Sequence, residues 1–279
     1  MFGRTPARDE PAAVSSSLSF EKGEARALSI DVLEPLFDDG WIEEVIRPVK
    51  SGKEASVYLC RAGARTGEEL VAAKVYRSPE NRGFKNAAVY WEGGTRGWNA
   101  HDLRATKKRS GWGKTVLFGA WILRENETLE ALHRAGANVP RPIAQVGSVL
   151  LMSWVGDEEE AAPQLRQVRW DRARAGRIFD FLVGQVELWL ANDIVHADLS
   201  EYNVLVWRGR PVVIDFPQAV DPRFNRNAYS LLQRDLANLY RHFERLGVRR
   251  DPRALSAALW ERWLHSDAWL GMPEGAPVE

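Results

Sequence analysis

The spacing of apolar residues changes several times along this chain, and each change marks an element. Up to about Ala27 there is Pro, Ala, Ser and charge without an apolar repeat, which predicts a flexible tail. Ile30, Leu33, Leu36 and Phe37 recur at helical spacing and stop at Gly40. ASVYLC (55–60) and LVAAKVY (70–76) predict two strands around the turn-forming RAGARTGEE. In the second strand, Ala72, Lys74 and Tyr76 share one face and Val71, Ala73 and Val75 the other. Phe118, Ile122, Leu129 and Leu132 then form one helical stripe in a helix predicted from Phe118 to Gly136, a residue suited to a C-cap, with Pro140 and Pro142 beyond.

SVLLMSWVGD (148–157) predicts a buried strand running into an acidic linker, and WDRARAGRIFDFLVGQVELWLAND (170–193) an amphipathic helix. Two short apolar runs, Val204–Val206 and Val212–Ile214, flank Arg208-Gly209 and predict a hairpin. Helices follow near 227–246 and 252–264. Strands with one helix, then mostly helices, predict an α+β chain in which a small mixed lobe joins a helical one. The expected divisions are a tail (1–27), a first lobe (28–153), a second lobe (154–270) and a short tail (271–279). Between Arg77 and Thr115 periodicity is lost. Six glycines and nine Lys/Arg against three Asp/Glu predict a functional or disordered basic loop.

Composition narrows the classes. The 38 basic and 38 acidic residues cancel, so no global field points to nucleic acid or membrane. A single cysteine, Cys60, excludes a disulfide framework and suits a reducing compartment. No apolar run is long enough to span a membrane, and the first twenty residues lack the apolar core of a signal peptide, so a cytoplasmic protein is expected.

The chemistry concentrates in IVHADLSEYNVLV (194–206) and the following VVIDFPQ (212–218). Asn203 stands just before the first strand of the hairpin and Asp215 just after the second, so the hairpin brings both to the same end. An amide oxygen and a carboxylate are hard ligands suited to Mg2+, with phosphate oxygens completing its shell. Asp198, five residues before Asn203, faces the same spot and is available to orient or deprotonate an attacking hydroxyl. This spacing is that of kinase catalytic loops. A capped turn whose polar groups serve only the backbone would explain the Asp and Asn, but not the hairpin and the IDF that follow. His196 is read as structural, holding the loop through its ring nitrogens.

A phosphoryl-transfer site needs more parts. Lys74 on a half-buried strand calls for an anion, unless it snorkels to solvent. Glu125 occupies the apolar stripe of the helix that follows, where a carboxylate is costly without a cation. The two are natural partners for positioning phosphates. VKSGKEASVY (49–58) places Ser51, Gly52 and Lys53 in a tight turn able to lie over phosphates. It lacks the glycines of a P-loop or of Gly-x-Gly-x-x-Gly.

SGKEASVY, AAKVYR, WILRENETLEAL, RAGANVPRPI, VLLMSWVGD, IVHADLSEYNVLV and VVIDFPQAV, in that order, resemble the RIO kinase family over about residues 28–245. The resemblance implies a bilobal, protein-kinase-like fold with a small β-rich N-lobe, one main helix and a reduced helical C-lobe. It also implies an atypical serine/threonine kinase and ATPase that uses ATP with Mg2+, or Mn2+ in its place. Carried over by motif, Lys74 contacts phosphates, Glu125 pairs with it, Asp198 is the catalytic aspartate, and Asn203 and Asp215 hold metal. Ser51, Gly52, Lys53 and Ser56 belong to the phosphate loop, while Met152, Ser153 and Val155 border adenine. The loop 77–115 corresponds to a family loop that often carries autophosphorylation. Family members serve small ribosomal subunit maturation, which makes that subunit a partner to expect.

The sequence also departs from ordinary kinases. Pro217 replaces the glycine after Asp-Phe, so the flipping of that segment is not expected. The 64 residues after Asp215 are few for an activation loop plus a peptide-binding subdomain. Two other classes share some of these features. Aminoglycoside and choline kinases also use His-x-Asp-x4-Asn with IDF, though SGKEAS and the basic loop argue against them. A nucleotide-holding, RNA-binding module would draw on the basic run 104–114 with Trp112. No catalytic residue is missing, which favours the enzyme.

Overall fold

The computed structural model describes residues 32–77 and 111–266. A short helix, α1 (Glu34–Asp38), precedes three strands, β1 (Ile42–Ser51), β2 (Ala55–Ala62) and β3 (Leu70–Tyr76). The long helix α2 (Gly111–Arg134) separates these from β4 (Pro142–Val146) and β5 (Val149–Ser153). The five strands form one antiparallel sheet in the order β1-β2-β3-β5-β4. Helix α3 (Arg172–Leu190), the hairpin β6 (Val204–Trp207) and β7 (Arg210–Val213), and helices α4 (Ala228–Arg245) and α5 (Pro252–Leu264) make the second lobe.

The period-2 reading of β3 explains how the sheet is packed. Val71, Ala73 and Val75 join Leu33, Leu36, Cys60, Val149 and Leu151 in a small core on one face. Lys74 and Tyr76 turn to the other face. There Tyr76, Leu150, Trp121, Ile122, Leu129 and Leu132 belong to a large core that continues through Phe179, Trp189, Phe216, Leu236 and Phe243. The stripe expected on α2 is therefore the seam between sheet and helical lobe. Tyr76 and Trp121 meet edge to face, with ring centroids 5.0 Å apart.

The expected elements recur with three differences. Helix α2 starts at Gly111, inside the segment read as loop, because packing of its later turns outweighs two glycines that each cost roughly 1 kcal/mol in a helix. Strands β1 and β4 were not anticipated. β1 reads IEEVIRPVKS, without clean alternation, and its pairing with β2 is broken by three register shifts. α2 does end as expected: Gly136 takes φ 81°, and the Ala137 N–H donates to the Leu132 carbonyl at 2.9 Å. Most of the expected basic loop (78–110) lies outside the described residues.

Candidate active site

The β6–β7 hairpin is closed at its active end by the Ile214 N–H, which donates to the Asn203 carbonyl at 2.9 Å. At its far end Arg208 (φ 49°) and Gly209 (φ 79°) make the tight turn. The two ends of the predicted metal pair are thus adjacent, as the spacing required. Asn203 is buried, and its Nδ2 donates to the Asp198 carbonyl at 2.9 Å and to Asp198 Oδ2 at 3.3 Å. Asp198, Asn203 and Asp215 are therefore gathered at one place, with Asp198 exposed at the mouth.

Lys74 reaches that place from β3. Its Nζ donates to Glu125 Oε1 at 2.8 Å, Glu125 Oε2 at 3.0 Å and Asp215 Oδ1 at 2.7 Å. One ammonium between two carboxylates leaves a net negative charge, and Asp198 adds a second beside it. Burial alone would lower the Lys74 pKa, but Asp215 and Glu125 outweigh it and raise it, so the ammonium stays charged. Glu125 is 1% exposed. Burial pushes its carboxyl up, against the pull of Lys74 and of the Phe216 N–H, which donates to Oε1 at 3.2 Å. Asp215 keeps a side chain 40% exposed. Desolvation would raise its pKa, yet Lys74 prevails and holds it below the usual range. The carboxyl of Asp198 is held above its ordinary value, first by loss of solvent on its inner side and then by Asp215, over the opposing Arg234 and Asn203.

His196 sits as expected. The Asp198 N–H donates to its Nδ1 at 3.2 Å, which places the ring proton on Nε2, 3.3 Å from the Ile214 carbonyl. The ring packs on Phe216 at 4.4 Å and on Trp189 at 5.9 Å between centroids. Burial drives its pKa down to about 4, so it is neutral and takes no part as a base.

The phosphate-loop residues lie on the turn between β1 and β2. The Gly52 N–H donates to the Ala55 carbonyl at 2.9 Å, and Lys53 is exposed. Ser51 and Ser56 are cross-strand partners with hydroxyl oxygens 3.2 Å apart. Arg77, which was not singled out from the sequence, donates to Ser51 Oγ at 2.6 Å and to Ser56 Oγ at 3.4 Å. Met152 pairs with Ala72 and so lies on the Lys74 face of the sheet. Ser153 pairs with Val71 on the opposite face, where its Oγ accepts the Arg141 N–H at 2.9 Å. Only its backbone remains for a ligand in the cleft. Val155 follows the strand, and its carbonyl accepts the Ala162 N–H at 2.9 Å.

Sequence reasoning also missed Asp235. From α4 its Oδ2 accepts the Ala197 N–H at 2.7 Å and its Oδ1 the Leu199 N–H at 3.0 Å, so it grips both neighbours of Asp198. Arg234 adds a donor to the Ala197 carbonyl. Ala197 stands at φ 63°, a conformation that costs a residue with a Cβ about 1 kcal/mol or more. The signal was present: Asp235 interrupts the apolar stripe Leu231, Leu232, Leu236, Leu239, just as Glu125 interrupts that of α2.

The donor set suits Mg2+. Among the described residues no three His, Cys, Asp or Glu side chains converge to hold a metal unaided. One carboxylate and one amide oxygen, next to uncompensated negative charge, match an ion that takes few protein ligands and completes its shell with phosphate and water.

A family model for the RIO domain matches residues 56–255. The RIO-type serine/threonine-protein kinase Rio1 of Haloferax volcanii is 34% identical over 217 residues, 77% of this chain and 69% of that protein. Its namesake in Thermoplasma acidophilum is 33% identical over 189 residues, 68% of this chain and 92% of that protein. Among solved structures, the Rio2 kinase-ADP/Mg2+-phosphoaspartate complex of Chaetomium thermophilum aligns with a TM-score of 0.58 at 20% identity. That alignment covers 86% of this chain and 72% of the other, a likeness of fold.

Proposed function

The chain belongs to the RIO kinase family, and we propose that it works as an ATP- and Mg2+-dependent serine/threonine kinase and ATPase of that atypical type. The observation that carries this reading is Lys74, bonded at once to Glu125 and Asp215 beside Asp198 and Asn203. In this reading Glu125 fixes the ammonium of Lys74 where it neutralises phosphate oxygens. Asn203 and Asp215 hold the metal, which when bound offsets charge on the transferring group and its leaving oxygen. Mn2+ has the same ligand preference and is the expected substitute.

Asp198 orients the acceptor hydroxyl and takes its proton. A carboxyl held above the ordinary range is a better proton acceptor, and its exposed position leaves room for the acceptor. The turn carrying Ser51, Gly52 and Lys53 covers the phosphates, with Ser56 and Arg77 bracing it. Met152, Val155 and the backbone at Ser153 border the base.

The acceptor is either a hydroxyl of this chain or of another protein, water, or the Asp215 carboxylate. The Chaetomium Rio2 complex carries a phosphoaspartate, and Asp215, ionised beside Lys74, has the chemistry for one. The hydroxyls Ser78, Thr95, Thr106 and Ser110 lie outside the described residues, and Thr115 lies in the first turns of α2. A contact of the run 104–114 with the small ribosomal subunit or its RNA rests on sequence, since 104–110 are likewise outside. No described helix is long and apolar enough to cross a membrane, and a cytoplasmic site of action is proposed with the rest.

Purified protein incubated with γ-labelled ATP and Mg2+ tests the reading. Label on protein together with free phosphate is expected. Acid-stable label identifies phosphoserine or phosphothreonine, and label removed by base or hydroxylamine an acyl phosphate. Absence of both label and free phosphate, with Mg2+ or Mn2+ and with added protein acceptors, overturns the reading.

A further inference from the structure

Some arginines of the second lobe are held by carboxylates. Arg223 meets Asp193 and Asp221, Arg250 meets Asp180, and Arg262 meets Glu187, all within 3.0 Å. One region does the opposite. Residues 166–177 hold five arginines and residues 208–210 two more, against a single acid, Asp171. All seven are exposed, and among the described residues none of these guanidinium groups meets a carboxylate.

The region is one surface. The Val206 N–H donates to the Pro163 carbonyl at 2.8 Å, and Gln164 bridges to Leu205, which docks the segment before α3 on the hairpin. Arg174, in the first turn of α3, lies against the hairpin turn: a Cβ on Gly209 would come within 2.8 Å of its Nη2.

Local helix and turn chemistry does not favour these residues. Arg172 and Arg174 occupy the first turn of α3, where no acid is present and the helix dipole disfavours cations. Arg208 takes φ 49° in a turn whose chemistry favours Asn, Asp or Gly. Aromatic rings sit among the charges: Arg166 lies 5.0 Å over Tyr202, Arg174 4.7 Å over Trp170 and Arg208 5.3 Å over Trp207. Tyr202 is 51% exposed.

We propose that this face, formed by the start of α3 and the Arg208-Gly209 turn, docks single-stranded nucleic acid. Guanidinium groups without carboxylate partners take phosphates, while the exposed Tyr202 ring and the planar guanidiniums stack on bases. Anionic lipid would need only charge, and the stacked planar groups favour bases. The Arg208-Gly209 turn lies at the opposite end of the β6–β7 hairpin from Asn203 and Asp215, while Tyr202 directly precedes Asn203, so the face runs along the hairpin from its turn toward the catalytic end. Each strand is four residues, roughly 13 Å at 3.3 Å per residue, and bound strand and catalytic site share one rigid element. The proposal is independent of the phosphotransfer reading, because binding is measured without ATP.

Fluorescence anisotropy of the full chain with fluorescein-labelled dodecauridylate, its DNA counterpart and phosphatidylserine vesicles tests it. Binding to the oligonucleotides, weakened at least tenfold by combined Arg166→Ala, Arg174→Ala and Arg208→Ala, is expected. The slope of log affinity against log salt should fall by about 0.7 for each phosphate that the variant no longer neutralises. Replacing the same three by Lys should weaken binding while leaving the salt slope in place, because lysine keeps the charge and gives up the stacking. The Ala variant should keep its circular dichroism spectrum. Tighter binding of RNA than DNA would assign part of the affinity to the 2′-hydroxyl, and equal binding would rest it on phosphate and base alone. No oligonucleotide binding, equal binding by the Ala variant, or binding of vesicles only would each overturn the proposal.

Discussion

Asp235 Oδ2 accepts the Ala197 N–H at 2.7 Å and keeps Ala197 in a left-handed conformation directly before Asp198. The carboxylate comes from α4, far downstream in the chain, so the geometry of the candidate base depends on the packing of the helical lobe.

Replacing Asp235 by Asn keeps the shape but turns an amide donor toward one of the two N–H groups. Urea melts should show a loss of about 1–3 kcal/mol, the cost of leaving a buried N–H group without an acceptor. The kcat for ATP should fall more than KM rises. Lower stability at unchanged kcat would mean that Asp235 supports the fold without positioning Asp198.

Acidity gives a second readout of the same loop. Burial raises the Asp235 pKa to about 7, although the Leu199 and Ala197 N–H groups oppose it. Its contribution is present below about pH 4 and is lost as pH rises toward 7. Burial lowers the His196 pKa to about 4, so its contribution is present above about pH 6.5 and is lost as pH falls toward 4. The two oppose each other in one window. Between pH 4 and 6.5, Asp235→Asn should make stability rise with pH relative to the wild type, and His196→Gln should make it fall. Parallel profiles from denaturant melts at several pH values would refute the pair of assignments.

Asp215 has φ 73°, a region that Asn tolerates at least as well as Asp. Asp215→Asn therefore isolates the charge. It should remove Mg2+-dependent turnover and any acyl phosphate while the melting temperature shifts by only a few degrees. Turnover at the wild-type rate in a Mg2+ titration would move the metal site elsewhere.

Glu125→Gln preserves an oxygen to accept the Phe216 N–H and leaves Lys74 its bond to Asp215. Turnover should drop at least tenfold with a stability change near 1 kcal/mol, a typical value for one altered hydrogen bond. Glu125→Ala removes that acceptor as well and should unfold at lower urea. An unchanged rate for Gln would show that the Lys74–Glu125 pair is dispensable.

What could be read in advance follows from how local each signal is. The β3 alternation, the α2 stripe with Glu125 inside it, and the Asn203–Asp215 hairpin each lie within one or two adjacent elements, and each stands where the spacing put it. Strand β1 was invisible because its pleat is interrupted by Pro48 and three register shifts. Arg77 was passed over because its partners Ser51 and Ser56 are brought near only by strand pairing. Asp235 was legible as an acid on an apolar face, but not its target, since nothing in α4 announces that it packs under residues 197–199. Ser153 shows the converse: a motif can match while the strand's pleat turns its side chain away.

Phe216, fully buried directly after Asp215, lies 5.5 Å from Trp189 and 4.4 Å from His196 between ring centroids. Its N–H is taken by Glu125, and its carbonyl accepts the Ala219 N–H across a turn that begins with Pro217. An inhibitor designed to push a tail past the lysine into a rear pocket would have to expel an aromatic ring from the main core, at about 3–5 kcal/mol for a phenylalanine's worth of packing. Compounds that stay in the nucleotide cleft carry no such penalty. Selectivity against this enzyme should therefore be sought away from that core, at the turn where Arg77 joins Ser51 and Ser56.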